Sequence, residues 1–169
     1  MWYAMQVYTG MEEAARQLIY KLVDERLFSD CFVVRFERSR RYMGKWHKEN
    51  QVWFPGYIFI DTDMPLEIYE ELKKVPKMTK MLGREVDYFL PIRKEEEEFL
   101  KKLVGVDHTI EMSVGYIEGD RIIVTEGALL DKEGLIKKID RHKRQAVISI
   151  ELFGQMIDTT VGLEVITKT

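Results

Sequence analysis

The sequence has little of what secreted proteins and membrane proteins need. It contains a single cysteine, Cys31, so no internal disulfide can form, and this fits a reducing cytoplasm. No apolar run approaches the roughly 18 residues of a membrane span. The first residues also lack the basic and then apolar pattern of a signal peptide. We therefore expect a cytoplasmic protein that does not enter a membrane.

The sequence patterns of common catalytic sites are missing as well. Neither a Gly-x-x-x-x-Gly-Lys-Ser/Thr phosphate loop nor a Gly-x-Gly-x-x-Gly dinucleotide fingerprint occurs. The histidines His47, His108 and His142 are not spaced with cysteines in a zinc-binding pattern. We expect neither catalytic activity, nor a metal, nor a cofactor.

An overall excess of positive charge is absent too, since the formal net charge is -3. Proteins that coat nucleic acid without specificity are normally basic, so any such contact here needs a local patch. Residues 38–48 form such a local patch, because this segment has no acidic residue. Its basic residues are Arg38, Arg40, Arg41, Lys45 and Lys48, and Trp46 and His47 lie among them. Basic groups neutralise phosphates and a ring can stack on an unpaired base, which makes this segment a candidate RNA-binding site.

The alternative for this segment is a solvated hairpin arm that also contacts a protein partner. A second basic group follows the second predicted helix, and it is either another RNA contact or ordinary solvated surface. Its candidate residues are Lys73, Lys74 and Lys77.

The hydrophobic pattern of the first part of the chain predicts an α+β domain. A strand over residues 2–7 precedes Thr9-Gly10-Met11-Glu12, which has the form of a capping box at a helix start. The helix that follows has an apolar stripe of Met11, Ala14, Ala15, Leu18, Ile19, Leu22 and Val23. Strands over 32–36, 52–61 and 78–82 and helices from Pro65 and over 95–104 complete a split βαβ pattern with one added helix.

The pattern changes in the last third of the chain. After Gly119, short apolar segments alternate with Gly127, Gly134, a polar turn over 140–144, Gly154 and Gly162. Five strands within about 50 residues predict a small SH3-like β-barrel. Residues 105–117 show no clear periodicity and look like a linker. We therefore expect two domains, residues 1–107 and 118–169, separated by a linker over 108–117.

Four segments, taken together, resemble the motifs of the NusG family of transcription elongation factors. The first is Trp2-Tyr3-Ala4 with Thr9-Gly10-Met11-Glu12, and the second is Phe54-Pro55-Gly56-Tyr57-Ile58-Phe59. The third combines residues 119–127 with 134–140, and the fourth is Ile150-Glu151-Leu152-Phe153-Gly154. The resemblance implies two domains. The N-terminal NGN domain would be an antiparallel sheet with helices, and the C-terminal KOW domain would be an SH3-like five-stranded barrel.

The resemblance also implies partners. The NGN domain would bind the clamp helices of RNA polymerase through an aromatic sheet face, for which Phe54, Tyr57 and Phe59 are the candidates. Tyr57 and Phe59 share a face because they are two residues apart on one strand. The alternative is that these rings belong to the core. The KOW domain would recruit Rho or a ribosomal protein, and its candidate contacts are Leu152, Phe153, Lys143 and Arg144.

Two departures from the housekeeping members point to a specialised one. Ala128-Leu129-Leu130-Asp131 stands where proline or alanine, phenylalanine and another aromatic are expected, and residues 139–144 are unusually basic. These features resemble the LoaP antiterminators, which implies a factor recruited to one operon by a leader RNA hairpin. We also expect the protein to be a monomer. The alternative is a general elongation factor that couples polymerase to Rho or the ribosome. A ribosome-associated KOW protein is disfavoured by the upstream βαβ unit.

Overall fold

The computed structural model describes residues 1–74, 77 and 89–167. Their contacts divide the chain into two compact units: Met1–Val34 with Phe54–Glu98, and Arg35–Trp53 with Phe99–Thr169. Each unit therefore combines two separate stretches of sequence. Within the described residues, no helix is both long and apolar enough to cross a membrane. The strand predicted over 78–82 lies outside the described residues.

The elements alternate between strands and helices in the first two thirds of the chain and are almost entirely strands after that. In chain order they are β1 (Trp2–Gln6), α1 (Glu12–Leu22), β2 (Asp30–Phe32), β3 (Arg35–Tyr42), β4 (Lys45–Val52), β5 (Tyr57–Asp61), α2 (Pro65–Lys73), β6 (Leu90–Pro91), α3 (Lys94–Val104), β7 (Thr109–Ile110), β8 (Ser113–Glu118), β9 (Arg121–Glu126), β10 (Ile136–Asp140), β11 (Gln145–Leu152) and β12 (Gln155–Ile166). Short 3₁₀ turns at Glu25–Leu27 and Glu133–Leu135 join some of them.

The first unit is built on a four-stranded sheet in the order β2-β5-β1-β6, whose pairs are all antiparallel. Phe32 pairs with Phe59, so their side chains project from one face, and the rings lie 5.7 Å apart. Trp2 meets Phe32 edge to face at 4.8 Å. All three rings are at least nine-tenths buried. They form an aromatic cluster in the core of this unit.

Helix α1 buries a narrower face than its apolar pattern predicts. Ala15, Ile19 and Val23 are buried as expected, whereas Met11 and Leu22 are more than 40% exposed. The buried residues follow the i, i+4, i+8 spacing of a single helical row. The outer members of the predicted stripe instead remain at the surface.

The start of α1 differs from the predicted capping box. The residue before the helix is Met11, which makes no side-chain capping bond. Glu12 is buried, and its carboxylate accepts hydrogen bonds from the Gly10 N–H at 2.9 Å and the Gly56 N–H at 3.0 Å. Val7 N–H donates to the Gly56 carbonyl at 2.8 Å. The helix start is thereby tied to the turn that precedes β5.

The single thiol, Cys31 in β2, is 2% exposed, and burial raises its pKa from the ordinary 9.0 to about 12. We expect no reaction with a thiol reagent near neutral pH until the protein is unfolded, as measured by thiol titration with and without denaturant. Because the pKa is higher in the folded state, stability should decline as the pH rises from 9.0 towards 12. Rapid labelling of the native protein would contradict this placement.

The second unit contains two sheets, β4-β3-β7 and β10-β11-β12-β8-β9. Strands β3 and β4 form a long antiparallel hairpin, and β3 also pairs in parallel with β7. In the five-stranded sheet, β12 pairs antiparallel with β11 and, further along, in parallel with β8. The segment predicted to be a linker therefore carries β7 and all of β8 except Glu118. These strands were missed because their pairing partners are distant in the sequence.

The β3–β4 hairpin packs closely on the five-stranded sheet of the same unit. A Cβ atom on Gly162 of β12 would lie 2.5 Å from the carbonyl oxygen of Glu37, so only glycine permits this approach of the two backbones. The Glu37 carboxylate accepts a hydrogen bond from the Met112 N–H at 3.2 Å. Ser39, which is 7% exposed, donates to the Met112 sulfur at 3.4 Å. Hairpin and sheet thus share one packed interior.

Candidate nucleic-acid and protein interfaces

The β3–β4 hairpin presents basic side chains on both of its faces. Directly paired residues share a face, so Arg40 lies beside His47, and Arg41 lies beside Trp46. The sequence-predicted residues at the surface are Arg40, Arg41, Lys45, His47 and Lys48. Arg38 is only 23% exposed and pairs with Glu49 at 2.6 Å, so its charge is balanced within the hairpin.

A cleft of about 530 Å³ lies within the second unit, between the hairpin and the turn that follows β10. Its described lining contains four guanidinium or ammonium groups, one imidazole and no carboxylate: Arg38, Arg40, Arg41, Lys143 and His142, together with Ser39, Trp46 and Gln145. The sequence placed Lys143 at a protein-binding site and the hairpin residues at an RNA site. The structure brings both into this one cleft, the basic cleft.

Trp46 is covered on one side rather than open for stacking. The guanidinium carbon of Arg144 lies 4.0 Å from the centroid of its ring, a cation–π contact worth about 1–2 kcal/mol when partly buried. The same guanidinium lies 3.5 Å from the Glu164 carboxylate. The Arg144 carbonyl also accepts a hydrogen bond from the Leu163 N–H at 3.0 Å. Arg144 is therefore engaged in packing inside the unit.

The accessible ring at this end of the hairpin is Tyr42, which sequence reasoning missed. It is 60% exposed and meets the His47 ring edge to face at 6.3 Å. A smaller cleft of about 280 Å³ lies here, lined by Arg40, Tyr42, His47 and Glu49, so Arg40 borders both clefts. The sequence signal for Tyr42 was its position directly before Met43-Gly44. The hairpin turns at these two residues, and both have positive φ angles.

The second basic group lies at the end of α2 in the first unit. The Lys73 ammonium lies 4.5 Å from the Tyr69 ring centroid and 3.2 Å from the Glu70 carboxylate. Lys74 and Lys77 are exposed. Lys80, which follows in the sequence, lies outside the described residues.

The aromatic candidates for polymerase contact separate into one core residue and two surface residues. Phe59 is 1% exposed and lies against Phe32 and Phe54, so it offers no surface to a partner, contrary to the expectation. The alternation of side chains along β5 correctly places Phe59 and Tyr57 on the same face of the sheet. At Phe59, however, other side chains cover that face. Phe54 and Tyr57 are half-buried. Tyr8, which is 44% exposed, follows Val7, whose N–H bonds to Gly56.

The candidates for partner contact in the C-terminal sheet divide in the same way. Leu152 is 0% exposed and continues the inward row of Ala146, Ile148 and Ile150 on β11. It is therefore a core residue and cannot contact a partner, which corrects the prediction. Phe153 is half-buried in the tight turn between β11 and β12, where its φ is 55°. Lys143 is exposed. Among the described residues, no group of acidic, histidine or cysteine side chains could hold a metal ion.

An N-terminal α+β part followed by a β-rich part, with basic and aromatic surface elements, defines the NGN–KOW class of transcription factors. A family model described as "Transcription termination factor nusG" matches residues 1–101, and the chain belongs to the NusG family. Members of this family are transcription factors and not enzymes. The prediction of a NusG-type transcription termination/antitermination factor is confirmed at this level.

Individual relatives agree with this assignment over nearly the whole chain. The transcription termination/antitermination protein NusG of Haemophilus influenzae is 29% identical over 168 residues, covering 96% of this chain and 90% of that protein. The transcription termination/antitermination protein NusG of Pasteurella multocida is 24% identical over 173 residues, covering 99% of this chain and 94% of that protein. A structure titled "Domain interaction in Thermotoga maritima NusG" matches with a TM-score of 0.54 at 22% identity. The match covers 96% of this chain and 92% of that chain. This likeness confirms the predicted α+β and β-rich fold.

Proposed function

We propose that this protein is a processive antitermination factor that binds RNA polymerase and is recruited to its operon by a hairpin in the leader RNA. NusG family factors interact with RNA polymerase, which supports the first part of the proposal. The second part rests on the β3–β4 hairpin, which exposes Arg40, Arg41, Lys45 and Lys48 in a chain of net charge -3. Such a local concentration of positive charge is what phosphate binding requires.

The proposed polymerase contact lies in the first unit, at the end of β1 and the start of β5. Tyr8, Phe54 and Tyr57 expose part of their rings there, and Gln6 pairs directly with Tyr57. Aromatic side chains supply a large contact area at a low cost in conformational entropy, as docking against a pair of helices requires. Phe59 lies beneath this surface and supports it without contacting a partner.

We expect Tyr57→Ala to weaken binding to core RNA polymerase by about tenfold or more, as for an aromatic hot spot at an interface. The fold should be largely kept, since Tyr57 is half-buried at the edge of the core. Tyr3→Ala is the matched control, because Tyr3 pairs with Ile60 and lies on the opposite sheet face. Equilibrium binding of both variants to immobilised polymerase provides the comparison. Equal affinities would remove Tyr57 from the interface.

The proposed function is tested by transcription through a terminator placed downstream of a candidate leader sequence. Antitermination predicts read-through with the intact leader and none with a scrambled leader of equal length. Equal read-through on both templates would favour the alternative, a general elongation factor that couples polymerase to Rho or a ribosomal protein. The half-buried Phe153 in the turn between β11 and β12 supports that alternative, because an aromatic ring in a tight turn suits protein docking.

A further inference from the structure

The basic cleft combines side chains from two separate parts of the sequence, the β3–β4 hairpin and the turn that follows β10. We propose that this cleft and the neighbouring Tyr42 form a single site for an unpaired RNA segment. The cleft holds consecutive phosphates, and the Tyr42 ring stacks on a base. The proposal rests on the proposed function, because it specifies how the same chain holds its leader RNA.

The two walls of the cleft supply the charge that phosphates need. Arg40 and Arg41 project from the hairpin, and His142 and Lys143 belong to the turn. All four are exposed, and no described carboxylate lines the cleft between them. A guanidinium can bind a phosphate with two parallel hydrogen bonds, whereas an ammonium acts as a point charge. Arg38 shapes the same wall while Glu49 balances its charge.

The walls are fixed relative to each other by a contact between a residue of the turn and a residue of the hairpin. Arg144, the residue after Lys143, lies on the Trp46 ring at 4.0 Å and is also held by Glu164. Trp46 itself is next to Lys45 and directly opposite Arg41 in the hairpin. A site whose parts are already in place loses less conformational entropy on binding. Trp46 and Arg144 are therefore positioning residues, and neither is a stacking platform or a phosphate ligand.

The exposed ring favours RNA over an acidic protein segment. An acidic peptide would use only the positive charges, and Tyr42 would contribute little. Unpaired RNA uses both features, since bases stack on aromatic rings while the phosphates follow a basic groove. Arg40 borders the basic cleft as well as the smaller cleft beside Tyr42 and His47, so one strand can contact both.

The test uses the full chain and a labelled pool of RNA hairpins with randomised loops, titrated at several salt concentrations. Two double variants each remove two positive charges: Arg40→Gln with Arg41→Gln in the hairpin, and Lys143→Gln with Arg141→Gln in the turn, where Arg141 is exposed. A third, His142→Arg with Lys143→Gln, conserves the charge of the turn. The control is Arg121→Gln with Lys138→Gln, since both residues are exposed in the second unit and line neither cleft. Tyr42→Leu tests the stacking separately.

We expect the hairpin variant and the Lys143→Gln, Arg141→Gln variant to lower affinity by about tenfold each and to reduce the log–log salt slope by ~0.7 per lost contact. Tyr42→Leu should lower affinity by about 5-fold to 100-fold without changing that slope. The control and the charge-conserving variant should stay within about twofold of the wild type.

Loss of binding in the hairpin variant alone would overturn the single site while leaving the proposed RNA-binding function intact. Unchanged affinity in every variant would overturn the cleft as the RNA site, whereas no binding of the hairpin pool by the wild type would overturn the proposed RNA recruitment as well. Binding of polyglutamate as tightly as RNA, with no effect of Tyr42→Leu, would assign the cleft to an acidic protein instead.

Discussion

Replacing Phe59 by alanine should lower the free energy of unfolding by about 3–5 kcal/mol, because the substitution leaves a cavity in a closely packed core. The Phe59 ring is 1% exposed and contacts the rings of Phe32 and Phe54. Trp2 packs on Phe32 in turn, so the cavity would weaken the whole aromatic cluster. For a small domain, such a loss is a large share of the total stability.

Urea denaturation followed by tryptophan fluorescence measures this loss, since Trp2 lies in the affected cluster. Phe59→Leu refills part of the volume and should recover more than half of the lost stability. Tyr57→Ala should cost much less, because its ring is only half-buried on the same strand. If Phe59→Ala were as stable as Tyr57→Ala but defective in polymerase binding, Phe59 would belong to the surface after all.

Replacing Glu12 by alanine should destabilise the protein by about 2–4 kcal/mol, since buried N–H groups then lose a charged acceptor. Glu12 is 5% exposed and accepts from the N–H groups of Gly10 and Gly56. The turn before β5 should loosen together with the start of α1.

Amide hydrogen exchange reports this loosening directly at Gly10 and Gly56, alongside a denaturation curve. Glu12→Gln keeps one acceptor oxygen and should show an intermediate loss. Glu13→Gln is the control on the same helix turn, because Glu13 is 43% exposed and its pair with Arg16 is a surface ion pair, a type worth about 0–1 kcal/mol. Unchanged exchange at Gly56 in Glu12→Ala would show that the hydrogen bond does not hold the turn.

The sequence alone was sufficient for the fold class, but it did not show that the β3–β4 hairpin groups with the C-terminal sheet in one compact unit. The periodic spacing of apolar residues identifies an amphipathic helix such as α1. The order of the four motifs along the chain indicated the family. Alternation also shows which residues share a strand face, as for Tyr57 and Phe59. It does not show which face is covered, so Phe59 and Leu152 were expected at the surface although both are buried.

What the sequence did not provide is contact between distant segments. Nothing local to the hairpin indicates that Arg35 pairs with Thr109, or that Glu37 accepts a hydrogen bond from Met112. The same holds for Arg144, whose cover over Trp46 depends on the turn between β10 and β11. Two basic segments that look independent in the sequence therefore line a single cleft, and a ring that looks available is covered on one side by Arg144.

The discontinuous second unit has a consequence for the newly made chain. Ribosomes produce the hairpin long before β12, and at about 5–20 residues per second the interval is on the order of ten seconds. For the first part of that time Ser39 lacks Met112, and for all of it Glu37 lacks Gly162 to pack against. A nascent chain that has not yet reached β12 therefore leaves the packing side of the hairpin uncovered and open to chaperones. The basic cleft is completed only when translation of the C-terminal sheet is nearly finished.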